Sequence, residues 1–258
     1  MRGLKDKVAI IPGGATKIGV AVVDAFKSYG VKVVVADIDA ENGETLKGDG
    51  VHFIRADLRS DADIDALVKG TVDTYGRIDF LVNVAATYLD NGAESTRTEW
   101  LEALDVNLVG SVMLMQAARE QLAQNKGAIV NFGSISARVA QTGRWLYPVS
   151  KAAILQLTRN QAMDLAPDGI RVNAVSPGWT WSNIMDNLTG GDRAKTDKVG
   201  ADYHLFDRVG DPEEVANAIM FLCSDEAGFI TGTDIRVDGG YTTMGPEGKT
   251  PAIPRLID

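Results

Sequence analysis

Short runs of β-branched and other apolar residues alternate along the chain with longer segments of helical length. The runs with strand character lie at residues 8–11, 31–36, 51–54, 80–82, 128–130, 170–175 and 234–237. The segments with helical length and apolar spacing lie at residues 19–29, 61–75, 98–123, 146–166 and 212–223. Strands separated by helices in this way are typical of a parallel sheet that is covered on both faces. The sequence therefore predicts a doubly wound α/β fold with about seven parallel strands.

The chain has the length and composition of one large globular domain. Of its 258 residues, 45% are hydrophobic and 24% are charged, so it can bury a substantial core. No linker, repeat or low-complexity segment divides the sequence, and we expect a single domain over residues 1–258. The net charge of -9 argues against a nucleic acid or an anionic membrane surface as a partner.

The N-terminal segment and the cysteine content indicate a compartment. Residues 1–7 contain no apolar signal segment, and no apolar run approaches the length that spans a membrane. The one cysteine, Cys223, stands in an apolar helical stretch and is expected in the core, and an internal disulfide is excluded. We therefore expect a cytoplasmic protein.

No group of side chains in the sequence has the spacing of a metal site. Asp61, Asp63 and Asp65 resemble the beginning of a calcium loop but lack its glycine and its terminal glutamate. A helix that Ser60 caps, with acidic residues in its first turn, explains them better. No bound metal is predicted.

The turn after the first strand has the composition of a nucleotide-binding loop. Residues 11–19 read Ile-Pro-Gly-Gly-Ala-Thr-Lys-Ile-Gly and lie between a strand and a helix. Glycines allow the backbone to approach a pyrophosphate, and the N-terminus of a helix favours an anion. Asp37 ends the second strand, where a carboxylate accepts hydrogen bonds from ribose hydroxyls and repels a 2′-phosphate. A turn that only solves a packing problem is the alternative, and Asp37 disfavours it.

A second constellation is centred on Tyr147 and Lys151. They stand four residues apart, so they share one face of a helix. The tyrosine hydroxyl has an ordinary pKa of about 10, and a lysine ammonium beside it favours the phenolate. Ser134 ends an apolar run that is typical of a buried strand, and its hydroxyl can bind a substrate oxygen. An isolated Tyr-x-x-x-Lys pair is more often helix surface, so the interpretation depends on the other motifs.

Together these motifs resemble the short-chain dehydrogenase/reductase family, and the resemblance covers residues 5 to about 242. The family carries a TGxxxGxG turn, an NNAG segment, an Asn-Ser-Tyr-Lys catalytic set and a Pro-Gly pair after strand six. The resemblance implies a Rossmann-like fold and the catalytic residues Asn107, Ser134, Tyr147 and Lys151. Tyr147 would exchange the alcohol proton, and Lys151 would lower its pKa and bind the nicotinamide ribose. Ser134 would hold the substrate oxygen, and Asn107 would position a water.

The resemblance also implies which residues hold the cofactor. The implied residues are Gly13, Lys17, Ile18, Gly19, Asp37, Asp57, Leu58, Asn83, Ala85, Tyr147, Lys151, Pro177, Gly178 and Ser182. Asp37 favours NAD, and NADP is the less favoured cofactor, because a carboxylate that faces a 2′-phosphate is repelled by it.

Four residues depart from the family pattern. Pro12 replaces the usual threonine and removes a backbone donor at the strand end. Lys17 replaces the second glycine of the turn, so this position is expected to tolerate a side chain. Lys17 could also pair with a phosphate, which weakens the preference for NAD over NADP. Val84 and Ala86 alter the NNAG segment, with an effect that the sequence leaves open.

The segments around the catalytic set are expected to determine specificity. Aromatic and basic side chains concentrate there, and the candidate substrate residues are Arg138, Arg144, Trp145 and Trp179. We hypothesise that one of the two arginines pairs with an anionic group of the substrate, the alternative being solvated or oligomer-contact charges. Residues 183–207 are predicted to form a mobile lid that closes over the substrate.

Residues 241–258 extend beyond the point where many relatives end. Their glycines and prolines predict an extended arm without a helix, which either crosses to a neighbouring subunit or is disordered. The resemblance also implies a homotetramer or homodimer, formed through the helices that are predicted at residues 98–123 and 146–166.

The sequence therefore predicts an NAD-dependent oxidoreductase that acts on a secondary alcohol or ketone. An NADPH-dependent carbonyl or 3-oxoacyl-ACP-type reductase is the alternative with the same fold, and Asp37 opposes it. A nucleotide-binding regulator without catalysis is the alternative from another class, and the intact catalytic set opposes it. A cyclic polyol, a sugar, a hydroxy acid or an aromatic diol would fit an aromatic, partly basic pocket.

Overall fold

One parallel sheet forms the centre of the molecule. Within residues 1–257, which the computed structural model describes, seven strands pair in the order β3-β2-β1-β4-β5-β6-β7. They are β1 (Val8–Pro12), β2 (Lys32–Asp37), β3 (Val51–Arg55), β4 (Phe80–Asn83), β5 (Ala128–Phe132), β6 (Arg171–Pro177) and β7 (Asp234–Val237). All neighbouring strands are parallel. The predicted Rossmann-like, doubly wound α/β fold is confirmed. The predicted domain runs to Asp258, which lies outside the described residues.

Helices cover both faces of this sheet. They are α1 (Lys17–Ser28), α2 (Ala40–Thr45), α3 (Asp61–Tyr75), α4 (Arg97–Leu104), α5 (Gly110–Asn125), α6 (Leu146–Leu165), α7 (Asn183–Thr189), α8 (Arg193–Gly200) and α9 (Pro212–Cys223). Phe26 of α1 and Ile219 of α9 are buried in the apolar cluster on one face. Leu67 of α3, Leu122 of α5 and Leu165 of α6 are buried in the cluster on the other. Each such side chain contributes about 1.5–3 kcal/mol to folding by leaving water.

The order of the strands reverses between β1 and β4. In open α/β sheets, ligands bind outside the carboxyl ends of the strands at such a reversal. The turn after β1 and the segment after β4 meet there, because the N–H groups of Val84 and Ala85 donate to the carbonyl of Pro12 at 3.1 and 2.9 Å. Two motifs that the sequence separates by about seventy residues therefore lie side by side.

The helices begin where the sequence provides capping side chains. The hydroxyl of Thr16 accepts a hydrogen bond from the N–H of Gly19 at the start of α1, at 3.1 Å. Ser60 caps α3 in the same way by accepting from the N–H of Asp63, as the sequence predicts. Such a cap stabilises a helix by about 1 kcal/mol. The cap of α1 also fixes the geometry of the glycine-rich turn that precedes it.

The helix predicted over residues 98–123 is divided into two. Between α4 and α5 lies one wider, π-helical turn, Asp105–Val109, in which the N–H of Gly110 donates to the carbonyl of Asp105. A side chain at Gly110 would clash, because an added Cβ would lie 2.7 Å from atoms of Leu58. Turns of this kind occur frequently at functional sites, and this one carries Asn107.

The segment predicted as a lid contains two short helices, α7 and α8, that the sequence did not predict. Residues of this segment line the cavity that is described below. The C-terminal segment is described as far as Ile257 and contains two 3₁₀ turns, Tyr241–Thr243 and Ile253–Leu256, so the prediction of an arm without helical structure is wrong at those turns. Lys249 joins this segment to the lid by donating to the carbonyl of Ala201 at 2.6 Å.

The continuous helical stretch Arg97–Asn125 is long and apolar enough to cross a membrane, by length and composition alone. No run of that length and apolar content was predicted from the sequence. Leu114, Ala118 and Leu122 of this stretch are buried against the sheet, as is usual for the core helix of a globular domain. The resemblance to a membrane span is therefore weak evidence.

Candidate active site

Ser134, Tyr147 and Lys151 meet at the carboxyl end of the sheet. Ser134 lies two residues after the end of β5, and Tyr147 and Lys151 lie in the first two turns of α6. The ammonium nitrogen of Lys151 is 5.5 Å from the centroid of the Tyr147 ring, so the predicted proximity of the two side chains is confirmed. Tyr147 and Ser134 both line one cavity of about 890 Å³. The geometry brings a hydroxyl, a phenol and an amine to one wall of that cavity.

Lys151 is almost completely removed from solvent. Its Nζ donates a hydrogen bond of 2.9 Å to the carbonyl of Phe132, the last residue of β5. Burial lowers the pKa of Lys151 to about 8, because the charged form loses its hydration. The amine therefore remains mostly protonated at neutral pH but can release its proton in a mildly alkaline solution.

The pKa of Tyr147 differs from the sequence-based expectation. It lies well above its usual value, because burial and the neighbouring phenol of Tyr88 disfavour the phenolate. A hydrogen bond with Ser134 and the charge of Arg144 lower the pKa, but their effects are smaller. Burial dominates the shift, and the lowering of this pKa by Lys151 stays a prediction. The phenol is protonated at neutral pH.

Asn107 connects the site to its supporting elements. Its Oδ1 accepts a hydrogen bond from the N–H of Thr87 at 2.7 Å, and its Nδ2 donates to the carbonyl of Thr87 at 3.0 Å. The same Nδ2 donates to the hydroxyl of Ser150 on α6 at 3.1 Å. Asn107 thus holds the segment after β4 against the helix that carries Tyr147. Its role in positioning a water stays a prediction.

Asp90 is a supporting residue that sequence reasoning missed. Trp145, at the start of α6, makes no side-chain cap of its own. The carboxylate of Asp90 accepts hydrogen bonds from the N–H groups of Trp145 and Tyr147 at 2.9 and 3.0 Å. Burial raises the pKa of Asp90, but the hydrogen bonds from these and other backbone N–H groups together lower it by more. The pKa therefore lies below its usual value, and the carboxylate stays ionised. Asp90 therefore caps the catalytic helix from a distant loop.

Two further side chains contact the ring of Tyr147. The ring of Tyr88 stacks on it with a centroid separation of 4.7 Å and an angle of 17° between the planes. The guanidinium carbon of Arg144 lies 5.0 Å from its centroid. Tyr88 was also missed, because 59 positions separate it from Tyr147 and no motif marks it. Both side chains border the position that a substrate must reach.

The glycines of the nucleotide turn allow its backbone to pack closely against neighbouring backbone. Gly13 has a φ of +78°, and a Cβ there would lie 2.5 Å from the backbone nitrogen of Ala85. A Cβ at Gly19 would lie 2.3 Å from the carbonyl oxygen of Gly13. The turn can therefore hold no side chain at either position, and it presents the N-terminus of α1 to the cavity. These features fit the pyrophosphate of a dinucleotide.

The carboxylate of Asp37 faces the same turn. Its two oxygens accept hydrogen bonds of 3.1 Å from the N–H groups of Ala15 and Asp39. The side chain is therefore fixed at the end of β2, at the entrance to the nucleotide turn. A negative charge held there fits a ribose with free hydroxyls better than one with a 2′-phosphate.

The other candidate cofactor residues lie at three places along the carboxyl edge of the sheet. Asp57 and Leu58 follow β3. The hydrogen bond from Arg59 lowers the pKa of Asp57, and burial opposes this shift only in part. Asn83 ends β4, where its Nδ2 donates to Asn131 at 2.8 Å while its buried Oδ1 has no partner among the described residues. Pro177, Gly178, Ser182 and Ile18 line the same cavity as Tyr147.

The candidate substrate residues fall into two groups. Arg144 and Trp179 line the cavity. Arg138 instead forms an ion pair with Asp234 at 2.7 Å, and neither Arg138 nor Trp145 is among the residues that line the cavity within the described part of the chain. Trp145 is half-exposed beside the helix start. Of the two candidate arginines, Arg144 lines the cavity and Arg138 does not.

Among residues 1–257, no group of three or more histidine, cysteine or acidic side chains has the geometry of a metal site. The acidic run that begins at Asp61 lies in the first turns of α3, as the analysis of the sequence proposes.

A comparison with known protein families gives the same assignment as the geometry. Residues 13–242 match the family model described as enoyl-(acyl carrier protein) reductase. The chain belongs to the short-chain dehydrogenase/reductase family. The predicted resemblance is therefore confirmed, and the candidate residues described above lie within or beside the matched range.

Several characterised relatives cover nearly the whole chain. L-Fucose dehydrogenase from Oryctolagus cuniculus is 35% identical over 248 residues, which are 93% of this chain and 87% of the relative. Short chain aldehyde dehydrogenase 1 from Euphorbia lathyris is 34% identical, and the alignment covers 94% of this chain and 90% of the relative. Aldohexose dehydrogenase from Thermoplasma acidophilum, solved in ligand-free form, is 32% identical in sequence and superposes with a TM-score of 0.87. The superposition covers 96% of this chain and 98% of that structure.

Membership of this family establishes the class of reaction. The chain is an NAD(P)-dependent dehydrogenase that acts on CH–OH groups. The names of two of these relatives, L-fucose dehydrogenase and aldohexose dehydrogenase, indicate sugar substrates.

Proposed function

We propose that the protein uses NAD(H) to interconvert a secondary alcohol and a ketone on a small polar substrate, such as a sugar or polyol. One observation carries the proposal. Ser134, Tyr147 and the nucleotide-turn residue Ile18 line one cavity of about 890 Å³, and the amine of Lys151 lies 5.5 Å from the ring of Tyr147. A substrate in this cavity can reach a proton donor beside the site that fits a dinucleotide.

The nicotinamide, when bound, supplies the ability to accept or deliver a hydride. The protein supplies the proton. The phenol of Tyr147 donates its proton to the carbonyl oxygen in reduction, and its phenolate removes the hydroxyl proton in oxidation. Ser134 provides a hydroxyl to hold the same oxygen, and the positive charge of Lys151 favours the phenolate whenever Tyr147 has given up its proton. Because the pKa of Tyr147 is raised, oxidation is expected to be faster at alkaline pH.

The preference for NAD(H) rests on Asp37. Its carboxylate is ordered by two backbone donors at 3.1 Å, so it cannot turn away from the turn without losing both hydrogen bonds. A 2′-phosphate placed against it would meet a fixed negative charge.

The substrate proposal rests on the side chains that line the cavity. Aromatic rings and hydroxyls form part of the lining beside aliphatic side chains, and they suit a polyhydroxylated molecule: Tyr88, Ser136, Thr142, Trp179, Tyr203 and Tyr241. Arg144 also faces the cavity, and no acidic side chain within residues 1–257 forms an ion pair with it, so an anionic group on the substrate would find a partner there. An Arg144→Ala variant should raise the KM for a sugar acid or hydroxy acid and leave the KM for the neutral sugar unchanged. An unchanged KM for the acid would remove the anionic group from the proposal.

The first experiment is a titration of the protein with NADH and, separately, with NADPH, followed by nicotinamide fluorescence. Tighter binding of NADH is expected, and Asp37→Ala should narrow the difference between the two cofactors. Sugars, polyols and hydroxy acids are then assayed with NAD, with Tyr147→Phe as the inactive control. Tighter binding of NADPH would contradict the cofactor proposal. A Tyr147→Phe variant that retains full activity would contradict the proposed proton transfer.

A further inference from the structure

Lys17 connects the nucleotide turn to the lid. It is the first residue of α1, and its ammonium nitrogen lies 2.9 Å from Oδ2 of Asp186. Its backbone N–H donates a hydrogen bond of 2.7 Å to Oδ1 of Asn183. Both acceptors belong to α7, the first helix of the lid. One residue of the turn therefore makes two polar contacts with a segment that follows it by 166 positions or more.

Cation–π contacts with Trp181 add to this connection between the turn and the lid. Trp181 stands directly before α7, and the ammonium nitrogen of Lys17 lies 6.0 Å from the centroid of its ring. Arg193 of α8 lies 5.7 Å from the same ring and forms an ion pair with Asp197. A cation near the face of an indole is attracted to it. The indole thus lies near cations from both the turn and the lid.

The ion pair with Asp186 depends on Lys17, one of the four residues by which this chain departs from the family pattern. A glycine at position 17 has no side chain that could reach Asp186. Lys17 has none of the positive φ values that would require glycine, so the side chain is accommodated without strain. The ammonium is also paired with a carboxylate, which reduces the net charge that it can offer to a phosphate.

We propose that Lys17 is a positioning residue that fastens the lid helix α7 to the nucleotide turn and thereby slows release of the cofactor. The inference rests on the proposed function only in that a dinucleotide binds at this turn. The fastening itself is a property of the protein without ligand. Because the Lys17 and Asp186 side chains are both about a third exposed, the ion pair alone is weak, and the hydrogen bond to Asn183 adds to it.

The test measures the lid in the ligand-free protein and then the cofactor. Hydrogen exchange of residues 183–189 is compared for the natural protein, Lys17→Met, Asp186→Asn and the double variant. Each single variant should exchange about three- to tenfold faster in this segment, as expected for the loss of one partly exposed contact. The double variant should exchange no faster than either single variant, since both remove the same pair.

Lys27→Met is the matched control. Lys27 lies on the same helix and is similarly exposed, but its carboxylate neighbour is Asp24 of that helix, at 3.9 Å. This variant should leave exchange in residues 183–189 unchanged. Equal exchange in Lys17→Met and Lys27→Met would overturn the fastening role, whether or not the protein binds NADH.

Stopped-flow measurement of NADH dissociation completes the test. Lys17→Met and Asp186→Asn should both accelerate dissociation by about threefold or more, matching the faster exchange of the lid. If Lys17 instead served as a phosphate ligand, Asp186→Asn would free its ammonium, and dissociation would become slower in Asp186→Asn but faster in Lys17→Met. Opposite effects of the two variants, or faster exchange without faster dissociation, would overturn the proposal. Failure of the natural protein to bind NADH would instead refute the proposed function, and the exchange result would still test the fastening.

Discussion

At the scale of single residues, Tyr147 is surrounded by groups that act on its proton in opposite directions. Burial and the stacked phenol of Tyr88 raise its pKa, while Ser134 and Arg144 lower it. Tyr88 reaches this position from the segment after β4, and its ring lies at van der Waals contact with that of Tyr147. The balance among these side chains determines the pH at which Tyr147 forms the phenolate that can accept a proton from an alcohol.

Tyr88→Phe should move the pH dependence of alcohol oxidation toward lower pH. The substitution keeps the stacked ring but removes the hydroxyl that raises the pKa of Tyr147, so the phenolate forms more readily. The profile of kcat/KM against pH measures the shift, and the apparent pKa belongs to the coupled Tyr147 and Lys151 pair. Tyr29→Phe, at the end of α1, is the control. A shift to higher pH would contradict the assigned effect of Tyr88.

Asp90→Asn should lower both stability and activity. The amide has only one acceptor oxygen, so one of the hydrogen bonds to Trp145 and Tyr147 is lost, at a cost of about 1–3 kcal/mol in the free energy of unfolding. Folding lowers the pKa of Asp90, so the unfolded chain binds more protons as the carboxylate titrates. The contribution of Asp90 is therefore present at neutral pH and is lost as the pH falls below about 4.

Urea denaturation at pH 7 and at pH 3 measures this effect. The difference in unfolding free energy between the natural protein and Asp90→Asn should be larger at pH 7. Asp73→Asn, on the exposed side of α3, should change stability little at either pH. Equal destabilisation by Asp90→Asn and Asp73→Asn would show that Asp90 does not cap α6.

At the scale of elements, the sequence predicts the strands well because most are short apolar runs between helical segments. The strands β1, β2, β4, β5 and β6 are largely buried, whereas β3 and β7 are only partly buried. The start of α3 follows from its capping serine. The division of the helix predicted at 98–123 could not be predicted, because it depends on the close approach of Gly110 to Leu58 and on the hydrogen bonds of Asn107 to Thr87. The same limit applies to the site. Family spacing predicts Tyr147 and Lys151, whereas Asp90 and Tyr88 come from contacts across more than fifty positions.

Gly110→Ala should destabilise the π-helical turn. The added methyl group would lie 2.7 Å from the Cβ and the carbonyl oxygen of Leu58, so one of the two elements must move. Overpacking of this kind costs about 1–3 kcal/mol, and the shift should also disturb Asn107 and lower kcat. Gly48→Ala is the matched control, since an added Cβ there meets no atom within 4 Å. If both variants unfold at the same urea concentration, the turn does not depend on close packing at Gly110.

At the scale of the whole molecule, α4 and α6 present apolar side chains that the described part of the chain leaves uncovered. Leu101 is 61% exposed, Val109 43% and Val149 48%. They lie on the two helical stretches for which family resemblance implies a contact between subunits. Apolar side chains at such positions are often covered by a second subunit. Asn107 lies in the π-helical turn directly after α4, and Tyr147 lies in α6, so assembly through these stretches would stabilise the elements that hold the site.

Val149→Asp should therefore weaken the association of subunits. A carboxylate buried in an apolar contact loses its hydration without gaining a partner, and the symmetry of a homo-oligomer repeats this cost in each subunit. Light scattering after size-exclusion chromatography measures the mass, which we expect to be a multiple of 27.6 kDa for the natural protein and smaller for the variant. Tyr29→Asp, on the opposite face of the sheet, should leave the mass unchanged.

A natural protein that is monomeric at micromolar concentration would contradict the proposed assembly, and an unchanged mass in Val149→Asp would place the contact elsewhere. If the mass of Val149→Asp falls and kcat falls with it, while the far-ultraviolet circular dichroism is retained, assembly supports the geometry around Tyr147.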